Sequence, residues 1–347
     1  MISSLPEGEG GRRQPAGWGY RIKSPAIAPP RLAVLADPPL AGREKKFLMQ
    51  DTGWLWAVFT LIAAASQTAR NAMQRELTAT LGTVGATHVR FLFGFPFALL
   101  SLAGLMLVTG ASLPRLGLSY WPWIALGAGA QIAATMLMLA AMGERSFVVA
   151  IAYIKTEPIQ VALFGLIFLG DKLSPGIVAA ILIATTGVLV MSLKPGGAPS
   201  TSWKPMIQGI GAGAMFALSA IGYRGAILNL AIPDFVMAAT VTLAIGLVLQ
   251  AGVLSLYLML REPKVMRDIV TAWRPSLLAG FLGALASQFW FLAFAIATAA
   301  SVRTLALVEV LFAQAISRFV FGQATTQREA IGIVLVVIGV ALLIWSH

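Results

Sequence analysis

The chain has no cysteine at all, which removes disulfides, thiolate nucleophiles and Cys-ligated zinc or iron–sulfur centres. Histidine is almost as scarce: only His88 and the terminal His347 occur, so His-based metal sites and nucleophile–base pairs have too few members to assemble. Charge is thin as well, since 11% of residues are charged where soluble domains carry about a quarter. A Gly-rich loop of the phosphate-cradling kind is missing, and with it the usual sign of nucleotide hydrolysis.

What fills the chain is apolar sequence. Hydrophobic residues make up 58% of the 347 positions and the mean hydropathy is +0.82. Long apolar runs recur over the whole chain after about residue 53, so the covering solvent is lipid rather than one internal core. The net charge of +11 comes from basic residues scattered singly at segment ends and in short breaks. That distribution sets membrane topology and does not describe a nucleic-acid surface.

Residues 1–53 stand apart. They are rich in proline and glycine, carry eight Lys or Arg, and read as a disordered basic tail. Arg12 and Arg13 match a twin-arginine signal only weakly, because no apolar stretch of signal length follows. Met49, which leads directly into the first span, is an alternative start of translation.

Beyond the tail the sequence predicts ten membrane helices, at roughly 54–75, 85–109, 119–142, 146–169, 174–193, 205–228, 234–260, 273–297, 301–322 and 327–346. Continuous apolar runs, without strand-type alternation, call for helices, which satisfy their backbone hydrogen bonds internally. Trp54, Trp56, Trp121, Trp123, Trp203, Trp273 and Trp345 fall at segment ends, where an amphipathic ring suits the interface; Trp290 lies deep in the eighth segment.

The two halves repeat. An ungapped offset of 152 residues pairs Glu157 with Glu309, Gly170 with Gly322, Gly187 with Gly339 and Ala141 with Ala293, and a weaker match pairs Arg70 with Arg224. Five helices per half is an odd number, so the second half enters the membrane upside down relative to the first. The fold class expected is therefore an all-α integral membrane protein of ten transmembrane helices, built as two inverted five-helix repeats over 54–193 and 205–346.

Several motifs bear a family resemblance. Ile154-Lys-Thr-Glu-Pro158, then Phe168-Leu-Gly-Asp-Lys-Leu173, then Gly187-Val-Leu-Val190 resemble the fourth and fifth helices of the drug/metabolite transporter superfamily, EamA type. His88-Val-Arg-Phe91 resembles a second-helix position of that family where an Arg-Phe pair is usual. The chain departs from the pattern with Asp171 in place of a glutamate, Val310 in place of the second proline and Gln323 in place of the second acid. The resemblance implies two five-helix repeats around a central cavity, alternating access and no cofactor. It also implies secondary transport of a small molecule across the cytoplasmic (inner) membrane.

Charges inside the spans are the candidate site. Of nine acidic residues outside the tail, only Glu157 and Glu309 sit near mid-segment. Either carboxyl group can exchange a proton or meet a cationic substrate group; the plainer reading is that Glu157 helps satisfy the carbonyl that Pro158 leaves without a donor. Lys155 points about 200° round the helix from Glu157, so it needs a partner of its own, a substrate carboxylate or a glutamate on another helix. Arg70, Arg90, Arg224 and Arg303 are further candidates for the substrate or proton site; they lie within a few turns of segment ends, where snorkelling to the interface is an adequate alternative explanation.

Tyr153, Gln131 and Gln288 either line the cavity or bridge helices, and Trp290 either enters the cavity or faces lipid. Pro96 and Pro158 mark kinks. No residue set suggests a metal site.

Topology has two readings. The short loops beginning with the one after the first segment carry nine basic residues against two on the opposite side, which places both termini outside. The tail's own basic residues cancel that bias, and the family resemblance implies termini inside.

The expected function is export of a small amphipathic metabolite such as an amino acid, by alternating access and driven by a proton or another gradient. The partners are that small molecule, a proton and membrane lipid, with no nucleic acid, in a monomer or homodimer. Multidrug efflux and metabolite uptake are the alternatives within transport; an intramembrane lipid-modifying enzyme is the alternative outside it.

Overall fold

A computed structural model of the protein describes residues 53–143, 153–192, 204–319 and 326–346. The basic tail, Trp203, the opening of the fourth predicted segment, Gly322 and Gln323 lie outside the described residues. Every regular element among the described residues is helical. Seven helical stretches there are long and apolar enough to cross a membrane. The chain is accordingly an all-helical protein of multi-pass character.

The first helix, α1 (Leu55–Leu92), runs through the first predicted segment and into the start of the second. It is not straight: Gly82 sits at φ 67° and ψ 177°, outside helical geometry and in the region glycine tolerates. Gln74 Nε2 donates to the Ala86 carbonyl at 2.9 Å. In a straight helix residues twelve apart are about 18 Å distant, so the chain folds back at Gly82. The helix then stops at Leu92, and Pro96 stands in the first turn of α2 (Phe95–Thr109), so this proline opens a helix just after a break.

After a loop come α3 (Tyr120–Gly143), then α4 (Glu157–Phe164), which continues as a π-helical turn over Gly165–Leu169, and α5 (Pro175–Ser192). The second part holds α6 (Lys204–Asn229), α7 (Phe235–Arg261), a short α8 (Pro263–Thr271) and α9 (Trp273–Ile296). The ninth predicted segment comprises α10 (Ala299–Leu305), a 3-10 turn at Ala306–Val308 and α11 (Glu309–Phe319); α12 (Gln327–Ser346) ends the described chain.

Three of the continuous helices expected from sequence are thus interrupted: the second at Phe93–Gly94, the fourth at Lys155–Thr156 and the ninth by the 3-10 turn at Ala306–Val308, the last two immediately before a glutamate. Tyr153 and Ile154 are helical, Lys155 and Thr156 form a turn, and α4 restarts at Glu157 with Pro158 in its first turn. Pro158 has no N–H to offer the preceding turn, and the break sits where that loss falls.

Three helix pairs dominate the packing: α3 with α6, α1 with α9, and α5 with α12. Small residues let them close. A Cβ on Gly222 would lie 2.4 Å from the backbone nitrogen of Gly127, and one on Gly225 would lie 2.3 Å from the Trp123 ring. At the α5–α12 crossing, a Cβ on Gly187 would lie 2.8 Å from the Gly332 carbonyl oxygen, and one on Gly339 would lie 2.6 Å from the Ala184 nitrogen. The buried stripe of α12 is Gly332, Val336, Gly339 and Leu343, spaced by four and three as one helix face requires. Lower on α6, Gly213 closes on the fourth segment: a Cβ there would lie 3.2 Å from the Ile154 carbonyl oxygen.

Large apolar side chains such as Leu107, Val108, Leu260 and Val337 are exposed, as a lipid-facing surface demands. Trp54, Trp121, Trp273 and Trp345 are exposed at helix ends. Trp56 and Trp123 depart from the interfacial expectation and are buried against neighbouring helices.

Candidate functional site

A cavity of about 350 Å³ opens between the broken helices and α1, α3, α5 and α6. Its polar lining comprises Gln67, Arg70, Asn71, Lys155, Glu157, Arg303 and Glu309; Met138, Ile154, Phe216, Leu307 and Val310 supply apolar surface. Both mid-segment glutamates therefore reach one space.

The breaks explain their placement. Each glutamate occupies the first turn of the helix that restarts after an interruption. At Glu157 a carboxylate is favourable because the N–H groups of a helix start carry partial positive charge; at Glu309 the backbone runs on through the 3-10 turn, and its N–H is bonded to the Ala306 and Leu307 carbonyls. Each is also held by a cation from the other half of the chain. Lys155 Nζ pairs with Glu309, and Arg303 Nε lies 3.1 Å from Glu157 Oε1. The Arg303 N–H is not aimed along that line, and neither atom has a hydrogen-bond partner, so the second pair is one of charge without a formed hydrogen bond.

Arg303 is fixed from behind. Its guanidinium lies 4.4 Å from the centroid of Trp290 and 5.5 Å from that of Phe294, and Trp290 Nε1 donates to Gln67 Oε1 at 3.1 Å. Trp290 stands beneath the site's cation and does not itself line the cavity. Lipid is excluded as its neighbour, since only 3% of the residue is exposed.

The four arginines that the sequence places near segment ends do not snorkel: Arg70, Arg90, Arg224 and Arg303 are all buried. Position near a helix end misleads because these ends are themselves enclosed by other helices; every residue of α10 is buried. Their surroundings differ. Arg224 Nη1 donates to the carbonyls of Phe294 (2.6 Å) and Ala297 (2.5 Å) at the end of α9, and its Nη2 faces Asp171 Oδ1 at 3.8 Å. That is a structural clamp, and it also takes up Asp171 of the Leu-Gly-Asp motif.

Arg90 donates to two hydroxyls, Thr135 Oγ1 at 3.3 Å and Ser287 Oγ at 3.4 Å. Arg70 donates from Nη2 to the adjacent Asn71 Oδ1 at 2.5 Å, while its Nε and Nη1 have no acceptor.

The neutral candidates bridge helices. Gln131 Oε1 accepts from Tyr223 at 3.1 Å and from Gln250 at 2.9 Å, joining α3, α6 and α7. Gln288 donates to Thr240 at 2.9 Å, joining α9 to α7. Tyr153 lies beside the break, where its carbonyl accepts from the Thr156 hydroxyl at 2.7 Å. The sequence signals Glu157, Glu309 and Lys155 by depth alone; it offers no signal for Asn71 beyond polarity.

Neither a protein-family model nor a curated protein matches the chain. Its fold does match that of a protein solved by crystallography, with a TM-score of 0.63 and 16% identity over 84% of this chain and 96% of the other. At that identity the likeness is one of fold. Fold and site together define a multi-pass helical membrane protein with a charged cavity among its helices.

Proposed function

We propose that the chain is a secondary active transporter of the drug/metabolite, EamA-like type, moving a small amphipathic metabolite across the cytoplasmic membrane by alternating access. The observation that carries this reading is the reciprocal pairing of Lys155 with Glu309 and of Arg303 with Glu157 across one cavity. Binding sites formed where broken helices meet near mid-membrane are how many secondary transporters hold substrate.

The proposal includes ten membrane helices in two inverted repeats. Three features support it. The helix breaks at Lys155–Thr156 and Ala306–Val308 correspond under the offset of 152 residues that relates Glu157 to Glu309. The main packing pairs α3–α6 and α1–α9 exchange when the halves are swapped, and α5–α12 maps onto itself. Gly187 and Gly339, also repeat mates, sit in that last crossing.

Under this reading the two ion pairs tie the halves together in the conformation seen, and rocking of one half against the other requires them to separate. A proton taken up by either glutamate weakens its pair, which gives a route for proton coupling without any cofactor or chemical reaction. Export is the direction preferred, on the family resemblance.

The test is mass-spectrometric comparison of medium and cell contents for bacteria producing the intact chain or a Lys155→Ala, Glu157→Gln variant. The expected result is a metabolite class enriched in the medium only with the intact protein. Equal profiles at equal membrane levels of the two proteins would sink the reading. For the proton, Glu157→Gln should flatten the pH dependence of transport; an unchanged rate and pH profile would remove that residue from coupling.

A further inference from the structure

We infer that the substrate is an organic oxyanion with an apolar body, and that Arg70 is the residue that binds its charged end; the inference rests on the transport reading and names the chemistry of the same cavity. The charges lining the cavity do not balance. Three cations, Arg70, Lys155 and Arg303, meet two carboxylates, Glu157 and Glu309. Glu309 is engaged by Lys155 and Glu157 by Arg303, which leaves Arg70 as the cation over.

Arg70 is 1% exposed, forms no ion pair among the described residues, and has Nε and Nη1 without acceptors. Its single bond, to Asn71, is to a neutral amide on the next residue.

A second cation makes the excess greater. Arg90 is 2% exposed, and among the described residues its hydrogen bonds go to the hydroxyls of Thr135 and Ser287, with the face of Phe91 at 5.2 Å. Gly283 brings the two arginines together: a Cβ there would lie 3.1 Å from Arg90 Cγ and 3.4 Å from Arg70 Cδ. The stems of the two arginines pass this glycine together, and two like charges held away from water repel one another; an anion in the cavity against Arg70 relieves both its burial and that repulsion.

Guanidinium groups suit carboxylate and phosphate because their planar array of N–H donors matches paired oxygen acceptors. The rest of the lining, Met138, Ile154, Phe216, Leu307 and Val310, suits an apolar body. A cavity of about 350 Å³ restricts that body to a small molecule. A bare amine finds no place here, because both carboxylates are already matched to cations.

The experiment measures thermal unfolding of the purified full-length chain in detergent with four ligands sharing one apolar body: phenylacetate, phenylphosphonate, phenylacetamide and phenethylamine. Anything that binds only the folded chain raises its unfolding temperature, by an amount that grows with the logarithm of ligand concentration over Kd once the concentration exceeds Kd. Stabilisation by phenylacetate or phenylphosphonate alone is expected, and which of the two is stronger separates carboxylate from phosphate chemistry. Arg70→Gln should weaken it roughly tenfold or more, and Arg70→Lys should retain part of it.

Equal stabilisation by the amide or the amine, stabilisation that survives in a folded Arg70→Gln protein, or no stabilisation by any of the four would overturn the inference. The ligand panel is measured on the unaltered chain, so its outcome does not depend on the variants folding. Binding of the anions without any transported metabolite would overturn the transport reading and leave the anion site standing.

Discussion

Lys155 and Glu309, 154 positions apart in the chain, meet across the cavity as an ion pair, and Arg303 and Glu157 meet beside them with the order of charge along the chain reversed. Each glutamate finds its nearest counter-charge in the other half of the chain. Each half of the molecule holds the other's acid.

Removing one member of such a pair is worse than removing both. Glu309→Gln leaves the part-buried Lys155 ammonium without its close partner, at a cost below the roughly 3–5 kcal/mol of a fully buried pair because 20% of the Lys155 side chain is exposed. The expected outcome is a clear drop in unfolding temperature for Glu309→Gln and substantial recovery in Lys155→Met, Glu309→Gln. If the double variant is as unstable as the single one, the two residues do not interact in the folded chain.

Arg224 should behave as a structural residue, unlike Arg70. It holds the Phe294 and Ala297 carbonyls at the end of α9, so Arg224→Met leaves those acceptors without this donor and removes the charge that faces Asp171. Stability should fall by about 2–4 kcal/mol, while the ligand response of the protein that still folds stays near that of the unaltered chain. Folded Arg224→Met with normal stability but no ligand response would place this arginine in the site instead.

How much of this is legible in the sequence depends on the range of the interaction. The turn at Gly82 and the break before Pro158 are local events with local signals, a glycine in the Thr-rich stretch between the first two predicted segments and a proline after a glutamate. The break at Ala306–Val308 carries no glycine or proline, and nothing in Ala-Leu-Val distinguishes it from continuous helix. Depth in a segment singles out Glu157, Glu309 and Lys155 and shows that Lys155 needs a partner off its own helix. Which residue that partner is depends on how helices distant in sequence pack. Arg303 reads as a snorkelling residue for the same reason: only tertiary structure reveals that α10 has no lipid or water beside it.

The closest helix crossing should be the most sensitive to volume. Gly222→Ala places a methyl group against the Gly127 backbone, which has no side chain to move aside. Overpacking of this kind costs about 1–3 kcal/mol. Gly129→Ala, on the facing helix with nothing within 4 Å of its Cβ position, is the control and should be neutral or slightly stabilising. Equal unfolding temperatures for the two variants would mean that α3 and α6 do not touch here.

The absence of cysteine turns the chain into a ready background for accessibility mapping, and this decides orientation. Ser192 lines the cavity at the end of α5, next in the chain to a basic break; Ser112 lies exposed in the loop at the far end of α2. Val265 and Ile269 of α8 would both meet a Cβ on Gly85, so the turn of α1 and the basic α8, with Lys264 and Arg267 exposed, share one end of the molecule. Basic residues concentrate on the cytoplasmic side of membrane proteins. Hence a membrane-impermeant maleimide applied to intact cells should label Ser112→Cys and spare Ser192→Cys, and inverted vesicles should give the opposite pattern. Labelling of Ser192→Cys in intact cells with Ser112→Cys spared would put the basic loops outside, and the cavity would then open away from the cytoplasm. Thr68→Cys, deeper in the same cavity, adds the test of movement: under alternating access it becomes reactive from both sides in turn, whereas a fixed pocket keeps it reactive from one.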